Sequence, residues 1–143
     1  MEGYFAGEFA HALDDKGRLA IPAKFRARFK EGAVVTRWTG DCLAVWPSQE
    51  WNALNADIAK RPRTDPAATR FRHFVLSGAH EGDPDGQGRL TIPSHLREFA
   101  HLGGEAVVIG NADHLEVWEP ARWRTNIETV QSHITDDLKD LGV

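Results

Sequence analysis

Asp14-Asp15-Lys16-Gly17-Arg18-Leu19-Ala20-Ile21-Pro22-Ala23-Lys24-Phe25-Arg26 occurs a second time, altered, as Asp85-Gly86-Gln87-Gly88-Arg89-Leu90-Thr91-Ile92-Pro93-Ser94-His95-Leu96-Arg97. Seven of the thirteen positions are identical at a constant offset of 71 residues. A fixed period of this kind marks an internal repeat, which governs every other reading of the chain.

The local chemistry of the motif is legible. Asp14 and Asp85 open a turn, since a short carboxylate accepts hydrogen bonds from backbone N–H groups just downstream. Gly17 and Gly88 stand where a short hairpin loop needs a residue with positive φ. Leu19 and Ile21, like Leu90 and Ile92, alternate with Ala20 and Thr91, the period of a half-buried strand. Pro22 and Pro93 end that strand and suit entry to a helix. Short helices are expected over 23–29 and 94–100, with Phe25 and Phe29, or Leu96, Phe99 and Ala100, on one face. Each unit therefore reads as strand, tight turn, strand, short helix.

The echo continues. Ala33-Val34-Val35 matches Ala106-Val107-Val108, and Asp41, Leu43, Val45 and Trp46 match Asp113, Leu115, Val117 and Trp118. Trp51 matches Trp123. Each copy thus ends in a second hairpin whose Val and Trp positions are expected to pack into a core. The sequence divides into a first repeat over 8–50, connecting helices over 51–78, a second repeat over 79–122, and a C-terminal helix over 123–143.

Outside the repeats, Ser48 is read as the N-cap of a helix through Lys60, closed by Pro62, with Trp51, Leu54 and Ile58 on one face. Asp65-Pro66 reads as a cap and a first-turn proline, opening a helix that Gly78 stops. Pro84 places the strand leading into the second repeat at a sheet edge or a bulge. After Pro120, Trp123, Ile127, Val130, Ile134, Leu138 and Leu141 form an amphipathic stripe, suited either to its own chain or to another subunit.

Composition bounds the function. The chain has 143 residues, a formal net charge of −4, one cysteine and an ordinary hydrophobic fraction. Each half would bury a thin core alone. Cys42 by itself supports neither a disulfide framework nor a zinc cluster, and His11 reads as a solvent-facing strand residue. No apolar run suits a signal peptide or a membrane span, so a cytosolic chain is expected. None of the seven histidines recurs at an equivalent position, and no nucleophile–base pair, P-loop or dinucleotide loop is present. Neither an enzyme nor a cofactor nor a small-molecule substrate is indicated. The charge is segregated: Lys16, Arg18, Lys24, Arg26, Arg28 and Lys30 lie together without an acid. Acids gather instead in the tail, at Glu116, Glu119, Glu128, Asp136, Asp137 and Asp140. A local basic face is compatible with the acidic total.

Arg18 and Arg89 directly follow the turn glycines, one position before a buried leucine, so alternation turns them outward. Two readings stand side by side. Each arginine staples its own turn by pairing with Asp14 or Asp85, or the two present guanidinium groups to guanine edges in the major groove. Lys16 in the first loop, and Lys24, Arg26, His95 and Arg97 at the helix starts, suit phosphate contacts.

The doubled pattern D-x-x-G-R-h-x-I-P-x-x-h-R (h, a large apolar residue) resembles the MraZ family of bacterial transcriptional regulators, over nearly the whole chain. The resemblance implies an α+β fold, with two tandem AbrB-like swapped-hairpin units in a pseudo-twofold arrangement flanked by helices. It implies binding to tandem G-containing boxes in double-stranded promoter DNA upstream of the division and cell-wall gene cluster, the chain's own operon included. By resemblance, Arg18 and Arg89 are base readers, Asp14, Gly17, Asp85 and Gly88 form and orient the turns, and the protein is a nucleoid-associated homo-oligomeric ring. Gly86 and Gln87, replacing Asp15 and Lys16, make the second loop the less basic of the two. The alternative from another class is a ring-forming protein-interaction module with no DNA role.

Overall fold

A computed structural model describes residues 3–143. Among the described residues eight strands form two antiparallel sheets: β1 (Glu8–Ala12), β2 (Arg18–Ala20), β3 (Ala33–Arg37), β4 (Leu43–Pro47), β5 (His80–Gly82), β6 (Arg89–Thr91), β7 (Glu105–Asn111) and β8 (His114–Trp118). Four α-helices accompany them: α1 (Ser48–Ala59), α2 (Pro66–Phe71), α3 (Ser94–Phe99) and α4 (Pro120–Asp140). The large sheet has the order β1-β7-β8-β4-β3-β5, and the small one pairs β2 with β6.

The strand pairing interlocks the two halves. Hairpins β3–β4 and β7–β8 meet at the centre through β4 and β8. The strand leading into the first repeat, β1, pairs with β7 of the second, and β5, leading into the second, pairs with β3 of the first. The repeats thus exchange their leading strands. β5 is an edge strand that ends before Pro84, as the proline requires.

The central strands β4 and β8 are buried at every position. On one face of the sheet Val35, Leu43, Val45, Val108, Leu115 and Val117 pack with Leu19, Ile21, Leu90 and Ile92 from the small sheet. Phe25, Phe29 and Leu96 from the short helices complete this single core. On the other face Val34, Ala44 and Trp46 pack against Trp51 of α1 and Val75. Burial of a large apolar side chain contributes roughly 1.5–3 kcal/mol, and the larger of these clusters draws its side chains from both repeats.

Several local expectations meet adjustments. The short helix expected over 23–29 is present and is of the 3-10 type, spanning Ala23–Phe29. Ser48 is the first residue of α1 rather than its cap: β4 runs straight into the helix, Pro47 takes the cap position, and the Ser48 N–H donates to the Gly32 carbonyl. Asp65 does cap α2, accepting from the N–H groups of Ala67 and Ala68. That helix then widens into a π-helical turn over Arg72–Leu76. The turn is stabilised from β3, where Thr36 donates its hydroxyl to the Val75 carbonyl and Arg37 donates Nε to that of Phe74. Carbonyls without regular helical partners are thereby satisfied.

No helix among the described residues is long and apolar enough to cross a membrane.

Candidate nucleic-acid interface

The two motif turns are built alike. The Asp14 carboxylate accepts from the backbone N–H of Lys16 (3.0 Å) and of Arg18 (2.9 Å), and the Gly17 N–H closes the loop onto the Asp14 carbonyl. Asp85 receives Gln87 and Arg89 in the same way, both at 2.9 Å. Gly17 and Gly88 both have φ +74°, the left-handed region in which a Cβ is penalised. Above all, each loop is locked to the other repeat: the Ile21 N–H donates to the Gly88 carbonyl and the Ile92 N–H to that of Gly17.

This frame fixes the arginines. Arg18 and Arg89 flank the β2–β6 ladder, where Leu19 faces Leu90, Arg18 faces Thr91 and Ala20 faces Arg89. Arg18 donates Nε to Asp14 Oδ2 at 2.7 Å, and Arg89 donates Nε to Asp85 Oδ2 at 2.8 Å. Arg89 Nη1 also lies 3.8 Å from Asp14 Oδ2, tying the turns together. The turn staple is therefore present in both copies, which decides one of the two readings of these residues without excluding the other. Their side chains are still 28% and 31% exposed. A guanidinium held at Nε keeps its two terminal nitrogens as a flat pair of donors.

The carboxylates stay ionised. The Arg18 N–H, backed by its guanidinium and the Lys16 N–H, holds the Asp14 carboxyl below its ordinary value. Asp85 is lowered likewise, first by the Arg89 N–H, then by that of Gln87 and the Arg89 guanidinium. Neutral pH thus leaves both pins in place.

The candidate phosphate residues divide. Lys16, Lys24, Arg26 and His95 are exposed and Arg97 is half-buried, with the Lys24 ammonium 5.3 Å from the Phe25 ring centre. Arg26 and Arg97 also brace the opposite turns. Arg97 lies over Gly17, so close that a Cβ there would sit 2.7 Å from its Cζ, and Arg26 lies over Gly88 in the same way. Arg26 Nε donates to the Ile21 carbonyl (2.9 Å), whereas Arg97 Nε is buried without a partner. His11, expected to face solvent, is half-buried, and burial together with Arg26 lowers its pKa.

A second polar cluster escaped the sequence reading. Glu116, buried, accepts from Trp118 Nε1 (2.9 Å) and Asn111 Nδ2 (2.8 Å), with His114 Nε2 at 3.3 Å. The His114 ring stacks on Trp46 at 4.3 Å, and its Nδ1 lies 2.9 Å from Asp113. The alternation Asp113-x-Leu115-x-Val117 registers the strand, but nothing in it shows that the face carrying His114 and Glu116 is buried. Burial pushes the Cys42 thiol up, helped by Glu116, leaving it protonated. Among the described residues no group of three or more His, Cys, Asp or Glu side chains could hold a metal ion.

Two strand–turn–strand–helix repeats that exchange leading strands and carry paired, carboxylate-pinned arginines define a tandem β-hairpin protein. A family model described as "MraZ protein, putative antitoxin-like" matches residues 4–74 and again 75–141. The chain is similar to the transcriptional regulator MraZ of Halothermothrix orenii, 41% identical over 142 residues, or 97% of this chain and 99% of that protein. It is similar to the transcriptional regulator MraZ of Natranaerobius thermophilus, 38% identical over the same shares, and to that of a Roseiflexus species, 40% identical over 90% of each. The chain belongs to the MraZ family. The curated relatives are named for transcriptional regulation rather than for an enzymatic reaction.

Proposed function

We propose that the chain is a sequence-specific DNA-binding transcriptional regulator that reads tandem G-containing promoter boxes through Arg18 and Arg89. The boxes lie upstream of the division and cell-wall gene cluster, which includes its own operon. The observation that carries this reading is the pair of Nε-pinned guanidinium groups on adjacent strands of one rigid ladder. Donor pairs held this way match the O6 and N7 acceptors of guanine, and pinning removes much of the ordering cost of a long side chain. The relatives' name supports a role in transcription. In this reading the AbrB-like exchange of hairpins sets the spacing of the arginines, and Asp14, Gly17, Asp85 and Gly88 orient them.

Lys16, Lys24 and His95 take phosphates, joined by the terminal nitrogens of Arg26 and Arg97. One chain offers few such contacts. A homo-oligomeric ring engaging several boxes gains its affinity through effective concentration. Such a regulator works in the cytoplasm, on the nucleoid.

Fluorescence anisotropy on a duplex carrying the chain's own upstream region, with a shuffled duplex as control and two salt concentrations, tests the proposal. Arg18→Ala and Arg89→Ala should each weaken specific binding by about 1–3 kcal/mol per lost guanine contact. Steep salt dependence should accompany wild-type binding. Unchanged affinity in folded variants would remove the base-reading role. Equal, weak binding to both duplexes would favour the interaction module, to which the acidic total charge is suited.

A further inference from the structure

Among the described residues two apolar surfaces lack a cover, and they differ in charge. The first is the outer face of α4. Glu119 caps this helix through the N–H groups of Ala121 and Arg122, and Pro120 occupies its first turn. Trp123 packs on Trp118 (5.4 Å between ring centres), and Arg122 lies 3.3 Å from Asp41. From Ile127 onward every residue is exposed, including Ile127, Val130, Ile134 and Leu138 at spacings of three and four. An isolated helix of about this length is marginal in water, and a stripe of aliphatic side chains supports it only when something covers the stripe.

The second surface is a groove of about 660 Å³ between α2, the π-helical turn and the end of β3, lined by Trp38, Ala67, Arg70, Phe71, Phe74 and Val75. Phe74 is 38% exposed there. Its surroundings are basic: Arg70 and His73 edge it, and Arg61, Arg63 and Arg72 line the depression beside it. The one acid of that stretch, Asp65, already caps α2 and pairs with Arg61 at 2.8 Å. The free end of α4 carries Asp136, Asp137 and Asp140 against Lys139.

We propose that the C-terminal half of α4 docks into the Trp38–Phe74 groove of a second copy of this chain, with Ile134 and Leu138 against its aromatic floor and the terminal aspartates against its arginines. This rests on the oligomeric part of the function proposed above and names the contact that builds it. An unbroken 21-residue helix that leaves the body after Trp123 does not turn back into its own groove. The contact is therefore head-to-tail, and a head-to-tail contact repeated by rotation closes a ring. One interface covers both orphan surfaces and opposes their charges. Antiparallel pairing of two α4 helices would leave the aromatic groove bare.

The test is complementation between two full-length variants, read as mass by size exclusion with light scattering. The tail variant is Ile134→Asp/Leu138→Asp, and the groove variant is Arg70→Glu/Phe74→Asp. Because the Phe74 ring packs on Phe99, Ala67→Glu/Arg70→Glu at two exposed positions serves as the second groove variant. Affinity for a duplex with a single box, expected to change less than twofold, shows that each is folded. Wild type should be a multi-subunit particle and each variant alone a monomer. An equimolar mixture of tail and groove variants should give a particle of one copy each, since it holds one intact groove and one intact tail. A groove variant that keeps the wild-type mass overturns the contact in favour of α4–α4 pairing. Folded variants that stay monomeric on mixing overturn it too, as does loss of single-box binding with assembly intact. A monomeric wild type overturns the oligomeric reading itself, and the contact with it.

Discussion

The two repeats agree at the motif turns and along the buried core strands, and differ at the sheet edges and on the outer face of the large sheet. Both turns hold the same Asp, Gly and Arg in the same hydrogen bonds, to within 0.1 Å at the arginine Nε. Away from the turns and the shared core positions the copies diverge. Phe5, ahead of the first repeat, is fully buried, touching the Phe25 ring edge-on at 5.0 Å. Its counterpart at the 71-residue offset, Leu76, is exposed. Where the first repeat has Cys42 and Ala44, the second has His114 and Glu116. The likeness keeps two arginines in register. The differences let one half close the sheet edge while the other receives the helices.

The edges offer the strongest way to break this contrast. Gly110 of β7 and Arg37 of β3 occupy matching positions at offset 73. Against β7 lies the N-terminal segment, with Phe5 and Ala112 exchanging both backbone hydrogen bonds and the Gly110 N–H donating to Gly7. A Cβ on Gly110 would meet the backbone of Phe5 and Ala6 at 2.6 Å or less. Backbone cannot step aside as a side chain can, so Gly110→Ala should cost about 3 kcal/mol. Arg37→Ala loses exposed hydrogen bonds to the Phe74 carbonyl and the Ser77 hydroxyl and should cost about 1 kcal/mol. Urea unfolding measures both. Equal losses would mean that the two edges are closed with the same stringency.

The same contrast shows what the sequence made legible. The doubled motif carried the strands, the turns, the Asp–Arg pairs and the helix starts, because each depends on residues within five positions of one another. The exchange of β1 and β5 between repeats came only through family resemblance, since alternation says which face of a strand is buried but not which strand lies beside it. The bracing of Gly17 by Arg97 and of Gly88 by Arg26 was hidden for the same reason. Both arginines lie near their own turns in sequence, yet they serve the opposite one. The π-helical turn at Arg72–Leu76 depends on side chains of β3, far away in the chain.

A second test concerns the polar cluster that only the second repeat possesses. Burial works against charging His114, but its hydrogen bonds to Glu116 and Asp113 outweigh burial and raise its pKa above 6.5. Burial likewise opposes ionisation of Glu116, and the bonds from His114, Trp118 and Asn111 reverse the balance, lowering its pKa below 4.5. A raised histidine stabilises the fold fully below 6.5 and loses that contribution as pH climbs through the raised value. A lowered glutamate stabilises above 4.5 and loses its contribution as pH falls through the lowered value. Between these limits the charged pair is intact. His114→Gln should therefore cost more stability at pH 5.5 than at pH 8.5, the difference being about 1.4 kcal/mol for each unit by which the pKa is raised. Denaturant titrations at the two pH values measure it, and a cost independent of pH would assign His114 to stacking on Trp46 alone. Cys42→Ser, at the matching position of the first repeat, should show no such dependence, its thiol being kept protonated.

The smallest expected effect asks whether the two loops serve DNA equally. Lys16 and Gln87 sit at the same point of the two turns, and each backbone N–H binds its own turn carboxylate. Exchanging their side chains changes charge while the turn geometry stays as it is. If the first loop meets a phosphate, Lys16→Gln should lower the slope of log K against log salt by about 0.9 for each engaged subunit, with the preference for boxed over shuffled DNA retained. Gln87→Lys should raise the slope by a similar amount only if the second loop lies as near the backbone. Opposite and equal changes would mean that the rigid β2–β6 ladder lays both turns on the duplex alike, so that the loops differ in charge but not in reach. A change in the first variant alone would mean that the docked chain tilts towards its first repeat, where Lys24 is also exposed. No change in either would place both loop tips away from phosphate and leave the pinned arginines as the main contacts.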